Sequence, residues 1–548
     1  MANIRMGTYL FLLALICVAP WPASAQSFRV QCPTSTITHP STLQDNNLEP
    51  AYTGPTTFTT GANGFLTPLA NVNGAIKCQQ ISGGDGYATM GDGTQTYMFS
   101  FGPLSGLADI AAGQPGTEPP NVFNMLTPDA LVPGDPATTV DNAGSFNYNG
   151  AVGLAPDLDC IAENAAALAA NPPEPLPCPN LQPGGIDGHV DPRHILDVGV
   201  MNGNIPAPLM AIDEDDEFFL TLSNVGMIMR PDLFEQHTVH FHGYPNASAF
   251  FDGVPDASVA INIGGSFTYY YLAPDAGTYF WHCHITPPEH LQMGMVGQLY
   301  VRPRQNRVPA NTSLYASLQG QQLDLRTACP SGADTVHADI LCSNPLPAVN
   351  TNATGGGKYA YNDGDGSTQY DVEYPLQIHG FDPSFHFVGM TFNPEGFADM
   401  KDKYFLLNGR SYPDTVTPGP LETQSSDGVN HFSQPLPSVI NIPAGKKALL
   451  RISDLDVSEY QTLASLGIPM QVIALNAKLL RDQAGNNMYY NTNSITLAGG
   501  ESLDVILDAT NTTLYPSGSV FYLYTPNLDH LSNDAENFGG LMTEIHIN

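Results

Sequence analysis

The sequence predicts an all-β protein of two Greek-key β-sandwich domains, with a disulfide-tied N-terminal extension and one long insertion. Three observations lead there. The chain has 548 residues, more than one ordinary hydrophobic core organises. Its apolar stretches are short and rich in Val, Ile, Tyr and Phe, with 47 prolines and 52 glycines spread between them. That is the pattern of many short strands joined by turns. Finally, two parts of the chain repeat each other in order. Residues 260–271, 277–284 and 294–301 answer residues 494–507, 520–527 and 539–547. Each set reads as strand, turn, strand, long loop and closing strand, which duplicated sandwich domains explain most simply.

The elements follow along the chain. Residues 1–25 read as an export signal: Arg5 starts it, Tyr9 to Val18 form the apolar run, and Ala23-Ser24-Ala25 makes a cleavage site. No other stretch approaches the roughly 18 consecutive apolar residues of a membrane span. A secreted or periplasmic protein with no membrane span is therefore expected. Residues 26–85 form the N-terminal extension. The first sandwich occupies 86–305, with Thr94 to Phe101 as its opening strand. It is interrupted by an insertion at about 103–190, which holds one helix-like stretch, Leu158 to Ala170, and it resumes at Ala211 to Leu222. Residues 306–370 link the copies, with a Gly- and Asn-rich patch at Asn350 to Gly357, and the second sandwich occupies 371–548.

Charge narrows the partners. Acidic residues number 52 against 18 basic, a formal charge of −34, which repels nucleic acid and draws cations to the surface. Solubility alone is the plainer account of that acidity. The run Asp213 to Glu217 could gather metal ions, although a solvated turn at a strand end explains it more simply.

Cysteine usage points to chemistry. Without Cys17, which lies in the leader, seven cysteines remain. An exported chain favours disulfides, and an odd count leaves one thiol over. Nearest-neighbour pairing gives Cys32–Cys78, Cys160–Cys178 and Cys329–Cys342, one of the 15 connectivities that six cysteines allow. The odd thiol is then Cys283, which stands between two histidines.

His237, His240 and His242 form one cluster, and His282, Cys283 and His284 another, followed by His290 and Met295. Alternate side chains of a strand share a face. His240 and His242 therefore point one way, as do His282 and His284, while Cys283 points the other. Two metal sites on opposite sides of one strand follow. A thiolate, two imidazoles and a weak thioether, here Cys283, His237, His290 and Met295, are the ligands of a blue electron-transfer copper. Zinc also binds Cys and His, but it would gain nothing from Met295.

The run from His237 to Val301 resembles multicopper oxidases of the laccase and bilirubin-oxidase kind. His237-Thr238-Val239-His240-Phe241-His242-Gly243 is similar to their upstream histidine motif. His282-Cys283-His284-Ile285, with His290 and Gly294-Met295, is similar to their cysteine motif. The resemblance implies cupredoxin-like sandwiches, copper as cofactor, and a type 1 copper on His237, Cys283, His290 and Met295. It implies type 2 or type 3 copper on His240, His242, His282 and His284. Asp252-Gly253-Val254-Pro255 is similar to a motif whose aspartate helps deliver protons to the oxygen-reducing cluster, which makes Asp252 a candidate proton relay. Gly294-Met295-Val296-Gly297 also resembles copper nitrite reductases.

Two departures stand out. The family usually places the histidine five residues after the cysteine, whereas His290 follows Cys283 by seven. The family's three-copper cluster also takes four His-x-His pairs, and this chain offers two. The other histidines, His39, His189, His194, His337, His379, His386, His431, His530 and His546, form no further pair. The leading expectation is an oxidase that takes electrons from a small molecule or metal ion and passes them through Cys283 to oxygen. A homo-oligomer or partner chain would complete its cluster. The alternatives are a two-copper reductase like nitrite reductase and a non-enzymatic electron carrier or copper-binding protein. The second copy, which has Thr525-Pro526-Asn527 where the first has His282-Cys283-His284, is expected to be structural.

Overall fold

Two β-sandwiches of the same topology dominate the computed structural model. It describes residues 31–548 apart from 41–45, 47, 63, 65, 124–157, 177–202, 228–234, 244–248, 274, 323–344, 390–395 and 425–429. The export signal, most of the insertion, and the pairings Cys160–Cys178 and Cys329–Cys342 fall outside the described residues or their described side chains. The helix expected in the insertion is present at Leu158–Ala169.

In the first sandwich one sheet runs Gln95–Pro103, Ile76–Thr89, Glu217–Gly226, Ser266–Leu272. The facing sheet runs Met210–Asp213, Val296–Arg302, Gly277–His282, His240–Phe241. The second sandwich repeats both orders. Tyr404–Leu407, Val372–Phe381, Lys447–Asp454 and Ser502–Asp508 match the first sheet. Ile440–Ile442, Met542–Ile547, Val520–Tyr524 and Gln461–Leu466 match the second. Even the parallel pairs recur, Ile76–Thr89 with Glu217–Gly226 and Val372–Phe381 with Lys447–Asp454. The duplication is therefore one of architecture.

Register corrects the alignment of the copies by one residue. Val296 pairs with His282, and Met542 pairs with Tyr524. The Cys283 N–H donates to the Met295 carbonyl as the Thr525 N–H donates to that of Leu541. Cys283 thus corresponds to Thr525 rather than Pro526. The second copy has a glycine pair where the first has Gly294 alone, and both Gly539 and Gly540 take positive φ, 153° and 70°. Matching Gly294 to the wrong one shifts the alignment.

The sheet opens earlier than expected. Ile76–Thr89 precedes and pairs with Gln95–Pro103, so the stretch from Thr94 belongs to the second strand. Ile76–Thr89 is rich in Gln and Gly and lacks the apolar alternation of a strand, yet nearly all of it is buried. The disulfide Cys32–Cys78 ties the N-terminal segment to this strand. In the expected linker, Val308, Leu314 and Tyr359 pack with Tyr52, and Tyr361 and Tyr370 join Leu449, Ile473 and Ile506 of the second sandwich. Its described part is therefore packed structure.

Gly277–His282 is buried along its whole length because it has protein on both faces. Tyr279 and Trp281 enter the first core, whereas Phe280 packs with Leu291, Val296 and Leu455. Trp281 lies against Gly297, where a Cβ would stand 2.6 Å from the indole. Burying such a ring removes on the order of 200 Å² from water, which contributes about 5 kcal/mol.

The acidic run is not a solvated turn. Glu214, Asp215, Asp216 and Glu217 are all buried. Asp215 accepts from the Arg304 guanidinium at 2.8 Å and from Arg307 at 2.8 Å. Asp216 accepts from the Ala75 N–H at 2.7 Å, and Glu217 pairs with His39. Burial and neighbouring Glu49 hold the Asp216 carboxyl well above its usual range. The run is a junction between the first sandwich, the N-terminal segment and Arg304–Arg307. Asp215 has φ of 79°, a conformation that Asn tolerates, so Asp215→Asn isolates the charge. It is expected to lower stability by about 3–5 kcal/mol in denaturant unfolding, because two buried guanidinium groups lose their counter-charge.

Candidate metal centres

The geometry starts from three consecutive residues in an extended segment. His282 ends the strand Gly277–His282, and the Cys283 N–H continues its pairing on the Met295 carbonyl at 3.1 Å. The His282 and His284 rings stack on one side with centroids 5.5 Å apart. Cys283 points into the first core on the other.

On the Cys283 side, His290 Nδ1 lies 3.2 Å from Sγ and His237 Nδ1 lies 4.0 Å from it. All three residues are buried, and Cys283 is the one free cysteine among the described residues. His237 comes from the segment that bridges to Ile261, and the Thr238 N–H donates to Cys283 Sγ at 3.4 Å. The enlarged loop after Cys283 is the short helix Pro287–Gln292, which turns His290 inward. Met295 follows, its N–H on the His290 carbonyl at 2.9 Å. A Cβ on Gly83 would stand 2.6 Å from His237 Cδ2 and 3.2 Å from Met295 Cε, so ring and methyl close on the same spot. Gly83 of Ile76–Thr89 thus makes room for this group.

On the opposite side His240, His242 and His282 bring their ring nitrogens together, and the His284 ring lies 5.1 Å from that of His240. The Nδ1 atoms face carbonyls. His240 Nδ1 lies 2.7 Å from the Asp252 carbonyl, His282 Nδ1 lies 2.6 Å from that of Cys283, and His242 hydrogen-bonds the Gly500 backbone. Each Nδ1 therefore carries the proton, and the Nε2 lone pairs are free. His242 and His282 aim theirs at each other across 2.9 Å. Two lone pairs at that distance repel unless a cation or proton lies between them. The Asp252 carboxylate, 31% exposed, lies 3.6 Å from His240 Nδ1.

Titration follows from burial. Desolvation and the adjacent His290 hold His237 well below the usual imidazole range, and desolvation and His242 do the same to His282. Desolvation and His240 lower His242 to about 4. Burial also lowers His290, but Cys283 and Glu235 outweigh it and raise the group to about 9. His237, His242 and His282 are thus held neutral, whereas His290 holds its proton more tightly.

Four kinds of residue escaped the sequence reading. Glu235, 27% exposed, places Oε2 3.5 Å from the buried His290 Nε2. Gly83 shapes the pocket. His379 Nε2 lies 2.9 Å from the Leu291 carbonyl, and His386 Nε2 lies 2.9 Å from that of Gln292, so two unassigned histidines of the second sandwich clamp the loop between His290 and Met295. Gly500, also from the second sandwich, holds His242. Only Gly83, in a run of glycines inside a strand, left a readable signal. An open cleft of about 410 Å³ runs from His242 past Pro287 and Leu291 to Asp456 and Glu459, between the sandwiches.

Comparison with known proteins gives these groupings a context. Residues 188–306 match the family model described as multicopper oxidase. The chain is 34% identical over 112 residues to multicopper oxidase MCE of Talaromyces pinophilus, across 20% of this chain and 17% of that one. It is 34% identical over 109 residues to the copper-containing nitrite reductase of Rhizobium meliloti (strain 1021), across 19% of this chain and 26% of that one. The match thus spans between 17% and 26% of the length of these relatives. Blue copper oxidase from Nitrosomonas europaea aligns with a TM-score of 0.41 at 22% identity, over 63% of this chain and 78% of that one.

Gly83→Ala is expected to lower stability by about 1–3 kcal/mol by overpacking. The added Cβ displaces the His237 ring, so Cys283 should react faster with a thiol reagent in the native protein. Thiol-modification kinetics beside a denaturant curve check both effects.

Proposed function

We propose that this chain is an exported copper-dependent oxidoreductase of the multicopper oxidase kind. One observation carries the reading: His282, Cys283 and His284 serve two donor sets on opposite sides of one segment, joined by main-chain bonds alone. The donor chemistry fits copper. A thiol, two imidazole Nδ1 atoms and a nearby thioether suit a metal cycling between Cu(I) and Cu(II), and converging Nε2 atoms suit a second copper centre. Copper, when bound, would supply one-electron redox chemistry at both.

The chain's own residues would then divide the labour. Cys283, His237, His290 and Met295 would form the buried set, with Glu235, 27% exposed, beside His290. An electron from a small molecule or metal ion docked there would travel through the Cys283 main chain to His282 and His284. His240, His242, His282 and His284 form the more open set, where oxygen would be reduced. Asp252, partly exposed beside His240, is suited to carry protons inward. Two His-x-His pairs are half of the family's cluster, so a second copy or a partner chain would supply the rest.

A second reading has its own support. His240, His242 and His282 converge as a group of three, enough for a single imidazole-bound copper as in a two-copper reductase. Copper per chain, visible absorption and paramagnetic resonance on the purified protein separate the readings. An intense blue band, resonance-silent coupled copper and oxygen consumption support the oxidase. A blue band with one further copper and nitrite turnover favours the reductase, and a blue band with a single copper leaves an electron carrier.

Cys283→Ser is expected to abolish the visible band and one copper equivalent while the histidine-bound signal remains. Asp252→Asn is expected to keep copper content and slow oxygen consumption roughly 10²-fold or more. Metal analysis and an oxygen electrode check both.

A further inference from the structure

The second sandwich carries none of the expected metal ligands, yet it reaches the histidine cluster at one point. We propose that Gly500 is a positioning residue of that cluster: its carbonyl fixes the tautomer of His242, so the second sandwich sets whether the imidazole set can take a metal. This rests on the reading of His240, His242, His282 and His284 as a metal centre.

The turn that presents Gly500 is built for close approach. Gly500 has φ of +89°, and a Cβ there would stand 2.9 Å from His242 Nδ1 and 3.0 Å from its Cε1. Any side chain at this position would strike the ring, and the positive φ favours glycine as well. The turn is held by the Gly500 N–H on the Asp454 carbonyl at 2.9 Å and by the Ala498 N–H on the Glu501 carboxylate at 2.8 Å. The Ser502 hydroxyl then donates to the Thr278 carbonyl at 2.6 Å, which locks the turn onto the strand leading to His282. The first sandwich has the same turn, with φ of 77° at Gly264 and the Gly264 N–H on the Asn224 carbonyl at 2.8 Å. A structural turn of the duplicated fold has thus been placed where its second copy faces an imidazole.

Chemistry gives the contact its consequence. A neutral imidazole carries one proton, on Nδ1 or Nε2. His242 Nε2 lies 2.9 Å from His282 Nε2, in the space a shared metal would fill. A proton on that nitrogen blocks the site, and a proton on Nδ1 opens it. The Gly500 carbonyl selects the second state, because a carbonyl can only accept and so favours the proton on the nitrogen that faces it. His240 and His282 take their acceptors from the first sandwich, at Asp252 and Cys283. Of these three, it is His242 that depends on how the two sandwiches dock.

The test has a metal-free arm and a metal arm. In apoprotein with ¹⁵N-labelled histidine, the His242 resonances, assigned by their loss in His242→Gln, should report a proton on Nδ1. A proton on Nε2 overturns the proposal. Apo wild type and Gly500→Ala are then titrated with Cu(II). The variant should bind Cu(II) at the histidines about 10–100-fold more weakly, while the Cys283-dependent absorption keeps its wild-type intensity. Unchanged affinity overturns the proposal. Gly467→Ala is the control for loss of stability, since Gly467 also has positive φ, 101°, and its Cβ would meet Phe521 at 2.4 Å. It should lower the melting temperature and leave both Cu(II) signals, and equal weakening in both variants would show general destabilisation instead. If wild type takes no Cu(II) at these histidines, the reading of the centre fails, and the tautomer measurement still decides the role of Gly500.

Discussion

The constraint on which the rest depends is that consecutive side chains of an extended segment point to opposite sides. Because Cys283 lies between His282 and His284, the thiol and the imidazoles are separated by the thickness of one backbone and joined through it. Every neighbouring element accommodates one side or the other. On the thiol side Ile76–Thr89 carries Gly83, because any Cβ would strike the His237 ring. On the imidazole side the strand's residues pair with the second sandwich, through Phe280 on Leu455 and Thr278 on Asp504. A segment with function on both faces leaves neither face for solvent, which is why the strand is buried throughout.

The second sandwich is therefore more than ballast. Its contact with the first is unusually polar for a buried surface. Arg451, fully buried, pairs with Glu373 at 3.0 Å and lies over the Tyr300 ring, while Glu373 also pairs with Arg302. Those two guanidinium groups outweigh the desolvation of Glu373 and lower its carboxyl to about 2. Asp504 accepts from Thr278 at 2.7 Å and from Tyr361. Polar contacts of this kind define a single relative placement, since a small shift strands charges without partners. Such placement is what His379, His386 and Gly500 require, each acting on a segment that carries candidate ligands through a single hydrogen bond or ring contact.

Legibility from sequence followed the type of physical signal. Ligand candidates were readable because metal binding needs rare side chains at strand spacing, and period 2 puts His240 with His242 and Cys283 opposite His282. The duplication was readable from repeated strand patterns, although a glycine pair at Gly539-Gly540 misled the register by one. What stayed hidden depends on long-range partners. Asp213 to Glu217 reads as a surface turn until Arg304, Arg307 and His39 are brought to it from elsewhere in the chain. Ile76–Thr89 falls mostly within the expected N-terminal extension, because its Gln and Gly residues give no apolar alternation to mark a buried strand. His379 and His386 are isolated in sequence and act only through folding.

The two centres differ in closure, and the difference matches what each would have to exchange. His237, Cys283 and His290 are all fully buried, and one sandwich supplies them together with Met295. An electron crosses protein without needing a channel, so a closed site loses nothing by excluding water and gains a ligand set that cannot rearrange. The imidazole side is looser, with His240, His242 and His284 partly exposed, and the cleft between the sandwiches ends on His242. A site that turns over a small molecule needs that opening, as open coordination positions distinguish reactive metal sites from structural ones. Openness leaves fewer contacts to hold each ring. Backbone carbonyls from Asp252, Cys283 and Gly500 answer that need, because each orients an imidazole from behind while leaving the front of the cluster clear.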